Sequence, residues 1–117
     1  MRHRKRGAKL GRIKKRRESM VKNLVLSVVL YEKITTTLAK AKATLPVVER
    51  LTHRAKAADL TAKRYLMKQL FNNELLVRKL THKIAPRYKK KEGGYLRIVK
   101  LKPREGDRAP MARLEFV

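Results

Sequence analysis

An apolar stripe through residues 38–58 is the most regular feature of this sequence. Its members recur at intervals of three and four residues and are Leu38, Ala41, Leu45, Val48, Leu51, Ala55 and Ala58. That spacing places them on one face of an α-helix and predicts that this face packs against a core. Thr37 is placed to cap the helix, whereas Pro46 lies inside the stripe, where we expect a kink rather than a break.

Three further segments have a helical pattern. Apolar residues recur along one face through residues 14–30, although the β-branched residues near the end of this segment also allow a strand. Segments 59–61 and 72–74 carry N-cap residues ahead of two shorter helices. Pro86 should end the second of these, because proline disfavours α-helical geometry in the residue before it.

Three segments have patterns typical of β-strands, at residues 33–37, 95–102 and 111–117. In the last of them Ala112, Leu114 and Phe116 alternate with Arg113 and Glu115, as a strand with one buried face requires. The last two segments should pair antiparallel across a turn-rich connection, and the first can complete a three-stranded sheet. The sequence therefore predicts an α+β, two-layer domain with about four helices packed on a small sheet.

The charge of the chain is large and unevenly distributed. Its 117 residues include 33 Lys and Arg against 9 Asp and Glu, and residues 1–17 hold ten of these cations and no acid. A compact state with this self-repulsion needs a dense polyanion, and nucleic acid is the first candidate. Residues 1–12 also contain too little apolar surface to offset the entropy of ordering. We expect a basic, extended, RNA-binding arm at residues 1–12 and a single α+β globular domain at residues 13–117.

Two groups of residues are candidates for RNA binding. The first lies in the arm and at the start of the first helix, where Lys and Arg neutralise phosphates and release counterions. It comprises Arg2, His3, Arg4, Lys5, Arg6, Lys9, Arg12, Lys14, Lys15, Arg16 and Arg17. The second combines cations with an aromatic ring able to stack on an unpaired base. It comprises Arg87, Tyr88, Lys89, Arg97, Lys100 and Arg104.

The sequence contains no pattern typical of an enzyme. Its three histidines, His3, His53 and His82, are far apart, cysteine is absent, and the glycines match neither phosphate-loop nor dinucleotide-binding patterns. We therefore expect no catalytic site, metal, cofactor or small-molecule substrate. The apolar run at residues 24–30 is too short to span a membrane and lacks the cleavage site of a signal peptide.

Five separated motifs resemble the bacterial large-subunit ribosomal protein seventeen family. They are MRHRKRG-KLGR at 1–12, TTLAKAK at 36–42, APRY at 85–88, GGY-RI-KL at 93–101 and P-R-GD-APMA at 103–112. Carried over residue by residue, the resemblance implies RNA contacts at Arg2 to Arg6, Lys9, Arg12, Arg87, Tyr88 and Arg97. Ala58 stands where glycine is common in the family, and this departure argues against a left-handed cap at the end of the helix at residues 38–58.

The resemblance also implies a cellular role. The family is structural, has an N-terminal extension and a small α+β body, and binds large-subunit ribosomal RNA. It lies near the outer end of the peptide exit tunnel, among other ribosomal proteins. We therefore expect a cytoplasmic protein of the large ribosomal subunit, in a bacterial or an organellar ribosome, with neither a membrane nor a small molecule as partner.

Two other functions would use the same charge. A nucleoid-type DNA-compacting protein needs little more than a basic surface, although neither a dimerisation heptad nor a helix-turn-helix pattern is present. A protein that binds anionic membranes would use the helix at residues 14–30. The cations and apolar residues of that helix are separated along its axis rather than around it, unlike those of most interfacial helices.

Overall fold

The computed structural model of this chain describes residues 10–11 and 13–117. Within these residues its α-helices and β-strands are α1 (Lys14–Tyr31), β1 (Lys33–Thr37), α2 (Leu38–Ala55), α3 (Leu60–Gln69), α4 (Glu74–Lys79), β2 (Leu96–Leu101) and β3 (Met111–Phe116). The predicted α+β fold, with four helices packed on a three-stranded sheet, is confirmed. The segment at residues 14–30 is a helix, as its apolar periodicity favoured. The predicted extended form of the arm falls outside the described residues, apart from residues 10–11.

The sheet is antiparallel throughout and has β3 at its centre, in the order β1-β3-β2. On the core face Leu114 lies opposite Ile34 of β1 and Ile98 of β2. On the other face Glu115 lies opposite a residue of each neighbouring strand. This arrangement confirms the predicted pairing, and it follows from the alternation of β3, which sends successive side chains to opposite faces.

Helix α2 covers the core face of the sheet and packs against all three strands as well as α1 and α3. Its buried residues include Ala41, Val48, Leu51 and Ala55 from the predicted stripe. The side chain of Thr37 accepts a hydrogen bond from the backbone N–H of Lys40 at 3.4 Å, so the predicted N-cap is confirmed.

The predicted stripe is continuous at Pro46, but it extends beyond the C-terminal end of α2. Pro46 lies within a continuous helix, so the stripe is not divided there. The helix ends at Ala55, three residues before the end of the stripe. Ala58 is exposed and has a φ of 53°, so a left-handed residue does follow this helix, contrary to the expectation from the missing glycine. A residue in the left-handed region cannot continue a right-handed helix, which is why the periodicity overestimated the length of α2.

The two shorter helices begin where the sequence placed their caps. The Asp59 carboxylate accepts a hydrogen bond from the N–H of Ala62 at 2.7 Å, and the Asn73 side chain accepts one from the N–H of Leu76 at 3.3 Å. Glu74 lies in the first turn of α4, where a negative charge complements the helix dipole.

The prediction that Pro86 ends the last helix is wrong. After α4 the backbone continues through a π-helical segment, Leu80–Ile84, and a 3₁₀ turn, Ala85–Tyr88. The N–H of Ala85 bonds to the carbonyl of Leu80, five residues earlier, which is the wide spacing of a π-helix. A proline ring clashes with the carbonyl four residues before it in a regular α-helix. The chain therefore accommodates Pro86 by changing from an α-helix to a π-helix and then to a 3₁₀ turn.

Candidate nucleic-acid interface

The start of α1 concentrates positive charge at a helix end that is already positive. Lys14, Lys15 and Arg16 are exposed, and Arg17 is partly exposed. The N-cap residue, Ile13, has no side-chain acceptor for the free N–H groups, and the first turn contains no acid. Cations near a helix N-terminus repel the helix dipole, whereas a phosphate there would be bound by both. Among the described residues, no acid offsets the positive charge in the first turn of α1, so an anion such as phosphate would be favoured there.

The backbone turns sharply just before α1. Leu10 and Gly11 both adopt left-handed conformations, with φ of 54° and 63°. The remaining predicted contacts of the arm lie outside the described residues and are Arg2, His3, Arg4, Lys5, Arg6, Lys9 and Arg12. Whatever path the arm takes, it joins the body beside the cations of α1.

Tyr88 lies in the core, and this corrects the expectation that its ring stacks on RNA. The residue is only 5% exposed. Its hydroxyl donates a hydrogen bond to the carbonyl oxygen of Val117 at 2.8 Å, and its ring centroid lies 5.2 Å from that of Tyr95 and 6.3 Å from that of Phe116. Burial raises the pKa of the Tyr88 hydroxyl. The ring has basic neighbours along the chain, but in the fold it packs against aromatic side chains.

Arg97 contacts an acid of the neighbouring strand. Its Nε donates to Oε1 of Glu115 at 2.7 Å, while Nε of Arg113 donates to Oε2 of the same carboxylate at 3.1 Å. The hydrogen bond from Arg97 is the main cause of a lowered pKa for Glu115. Because the Arg97 side chain is still 61% exposed, its other N–H groups remain available to a phosphate.

Arg87 and Arg104 are also paired with acids. Arg87 donates to the carboxylate of Glu32, whose other oxygen lies 3.7 Å from Nζ of Lys79. The Arg104 guanidinium makes two hydrogen bonds to Asp107, at 2.6 and 3.1 Å. These contacts lower the pKa of Glu32 and bring that of Asp107 to about 2. Part of the charge of each arginine is therefore neutralised within the protein.

The second predicted group does not form one surface. Lys89 and Lys100 are both exposed. In the register of the sheet, however, Arg97 lies opposite Glu115 and Lys100 opposite Ala112, on opposite faces. Members of this group therefore lie on both faces of the sheet, whereas Lys14, Lys15 and Arg16 follow one another at the start of α1.

Most acids of the chain contact other groups of the same chain. Six of the nine cap helices, bind backbone or pair with basic residues, and these are Glu32, Glu49, Asp59, Glu74, Asp107 and Glu115. Glu49, for example, accepts a hydrogen bond from the backbone N–H of Leu96 at 2.9 Å. Few acids are left to neutralise the surface, so the excess positive charge faces outward.

An exposed aromatic ring lies elsewhere. Tyr31, the last residue of α1, is 66% exposed and precedes Glu32, which binds Lys79 and Arg87. An exposed aromatic ring on a basic protein can stack on an unpaired base. The sequence interpretation missed it because Tyr31 follows directly on the apolar run of α1, whereas Tyr88 lies within a basic run.

The described part of the chain also bears on metal binding and on membrane spanning. Residues 10–11 and 13–117 contain no group of three or more His, Cys, Asp or Glu able to hold a metal ion. Among the helices described, none combines the length and apolar composition needed to cross a bilayer.

Comparison with known proteins gives one consistent result. The family described as Ribosomal protein L17 matches residues 20–117. The large ribosomal subunit protein bL17 of Orientia tsutsugamushi (strain Ikeda) is 48% identical over 117 residues, which cover 100% of this chain and 80% of the relative. That of Allorhizobium ampelinum is 47% identical, with 100% and 82% covered. That of Caldanaerobacter subterraneus subsp. tengcongensis is 46% identical over 109 residues, with 93% and 96% covered.

Proposed function

Because this chain belongs to the ribosomal protein L17 family and is a structural protein of the large ribosomal subunit, we propose that it binds large-subunit ribosomal RNA through its basic arm and α1. The observation that carries this proposal is the run of ten cations without an acid in residues 1–17, which leads into the uncapped end of α1. Among the helices of residues 13–117, none other begins beside so dense a run of cations.

Binding would proceed through phosphates rather than base edges. Lys and Arg of residues 2–17 displace condensed counterions, and the arm becomes ordered between RNA helices as it binds. The body would add scattered contacts through Lys89 and Lys100, and through the free N–H groups of Arg87, Arg97 and Arg104. Tyr31 replaces Tyr88 as the aromatic residue able to stack on a base.

The proposed role is structural. By screening phosphate repulsion, the arm would stabilise one packing of neighbouring RNA helices. We place the protein near the outer end of the peptide exit tunnel of a bacterial ribosome, in contact with other large-subunit proteins. This placement is inferred from the family to which the chain belongs. The proposed role requires no catalytic step.

A binding competition tests the proposal. The full chain is titrated with a large-subunit ribosomal RNA fragment and with duplex DNA of equal length at about 150 mM salt, where purely electrostatic binding is weakened. We expect the RNA to be bound at least about tenfold more tightly, because folded RNA presents both phosphates and unpaired bases. Equal affinity for both would favour a DNA-compacting protein and contradict the proposal.

A further inference from the structure

A groove of about 820 Å³ lies between α1 and α2. Its floor is apolar and is formed by Val21 of α1 and by Ala39, Ala43, Pro46 and Val47 of α2. Ala39, Ala43 and Val47 are spaced four residues apart, so they lie along one face of α2. That face is distinct from the stripe that packs against the sheet. Small side chains on it allow a close approach by another backbone.

Charged residues border this floor. The α1–α2 groove has Arg17 and Lys22 on its α1 side, and Lys42 and Arg50 on its α2 side. None of the ion pairs in the described residues involves these four cations. Glu18 is the one acid of the lining. The rim is therefore positive on both sides, whereas the floor offers only apolar contact.

An exposed phenylalanine extends the apolar surface at one end of the groove. The ring of Phe71 lies 5.3 Å from Nζ of Lys22, and Gln69, two residues earlier, lines the groove. Phe71 is 48% exposed and has a φ of 54°, a left-handed conformation that is unfavourable for a residue with a side chain. In the isolated protein, this exposed ring gains little packing in return for its unfavourable backbone conformation. A partner that covered the ring would bury its apolar surface.

The charges and the floor together select one class of occupant. The arm of this chain and a second copy are both strongly basic, so the rim would repel them. RNA phosphates would bind the rim, but they would leave the apolar floor uncovered and would approach Glu18. A polypeptide segment with apolar residues over the floor and Asp or Glu at its edges satisfies both requirements.

The geometry points to the α1–α2 groove as a docking site for such a segment, an apolar stretch flanked by acids in a neighbouring protein of the large subunit. This inference rests on the proposed function, because it takes the partner from the assembled particle. The rim lysines would pair with the acids of the segment, and the floor and Phe71 would cover its apolar side chains.

Zero-length crosslinking tests this directly in native large subunits. A carbodiimide joins a lysine amine to a carboxylate with which it is already paired, and mass spectrometry identifies both peptides. We expect Lys22 and Lys42 to be joined to Asp or Glu of another protein, within a segment that has apolar residues beside the acid. Exposed Lys68 of α3, outside the groove, is the internal control and should give no such link.

A charge reversal provides the second measurement. Lys42→Glu should lower the yield of the Lys22 crosslink roughly fivefold, because the rim then repels the acidic segment, whereas Lys68→Glu should leave that yield unchanged. Incorporation of each variant into large subunits is measured first, in sucrose gradients. If the unaltered chain does not enter the particle, the proposed function is contradicted. Incorporation is therefore measured before any crosslink is analysed.

Once the chain is in the particle, the remaining outcomes concern the groove alone. Links from Lys22 or Lys42 only to Glu18 of the same chain, links to the arm or to a second copy, or no links at all would overturn the inference. Ultraviolet crosslinks to RNA from Lys42, Val47 or Arg50, on the α2 side of the groove and away from the RNA-binding cations of residues 2–17, would also overturn it and would assign this surface to the nucleic acid.

Discussion

The hydroxyl of Tyr88 and the backbone carbonyl of Val117 are joined by a hydrogen bond of 2.8 Å. It ties the 3₁₀ turn that contains Pro86 to the residue that follows β3, and it gives a partner to the hydroxyl of a ring that otherwise packs among aromatic neighbours. A buried carbonyl or hydroxyl without a partner is costly. This contact therefore assigns Tyr88 to the stability of the body.

Tyr88→Phe should lower the free energy of unfolding by about 1 kcal/mol, because it removes one partly buried hydrogen bond and leaves the Val117 carbonyl without that donor. Urea denaturation measures the change. Tyr31→Phe is the matched control, since Tyr31 is 66% exposed, and it should unfold at the same urea concentration as the unaltered chain. Equal stability of the Tyr88 variant would place its hydroxyl in solvent.

Ala58→Gly should stabilise the protein by about 0.5–1 kcal/mol. Ala58 has a φ of 53°, and glycine adopts the left-handed conformation without the clash that a Cβ causes there. Thermal unfolding measures the gain. Ala57→Gly, in the neighbouring exposed residue, should be neutral or destabilising, because only the flexibility of the unfolded chain changes there. A loss of stability in the Ala58 variant would contradict the described end of α2.

Glu115→Gln should flatten the acid dependence of stability. The hydrogen bond from Arg97 holds the pKa of Glu115 below its ordinary value of 4.5. The stability contributed by the carboxylate is therefore present above the ordinary pKa, and it is lost as the pH falls through the lowered, folded value. The variant should be less stable than the unaltered chain at neutral pH, and it should lose less of its remaining stability between about pH 5 and pH 3.

Denaturation curves at a series of pH values measure this difference. Glu105→Gln, an exposed glutamate in the connection between β2 and β3, is the control and should retain the slope of the unaltered chain. Parallel curves for the Glu115 variant and the unaltered chain would show that the ion pair across the sheet contributes nothing.

Replacing Lys14, Lys15 and Arg16 by glutamine should weaken the salt dependence of RNA binding. Each phosphate contact adds roughly 0.7–0.9 to the slope of log K against log salt, so three lost contacts should reduce the slope by about 2. The same change should stabilise the free protein slightly, because it removes cations from the positive end of α1. Filter binding over a series of salt concentrations measures the slope.

The control removes equal charge from another helix. Lys63, Arg64 and Lys68 are exposed on α3, and their replacement by glutamine should change the slope by less than one contact. If both triple variants lose the same slope, RNA is held by the overall charge of the protein rather than by α1.

Local patterns were sufficient to predict most of the fold. The stripe of α2 has the period of a helix with one buried face, and Asp59 and Asn73 are cap residues wherever a helix starts after them. The alternation of Ala112 and Leu114 fixed the core face of β3. Each of these signals lies within a few residues along the chain.

The features that the sequence did not reveal depend on distant partners. Tyr88 is buried by contacts with Tyr95 and Phe116, and the pairing of Arg97 depends on the register of β2 and β3. The passage of the chain beyond Pro86 depends on a change of helix type that proline alone does not specify. For the candidate interface, the cations that the sequence assigned to the start of α1 are exposed, whereas several of the assigned residues after position 86 are paired with acids or packed in the core.

The most direct test of the account is the incorporation of a chain that lacks residues 1–12 into large ribosomal subunits, in competition with the full chain. The account predicts that the helical circular dichroism of the body stays largely intact, while the truncated chain is found in the large-subunit fractions of a sucrose gradient roughly tenfold less often than the full chain. Equal incorporation of the two chains would contradict it, because the arm would then contribute nothing to the binding of ribosomal RNA.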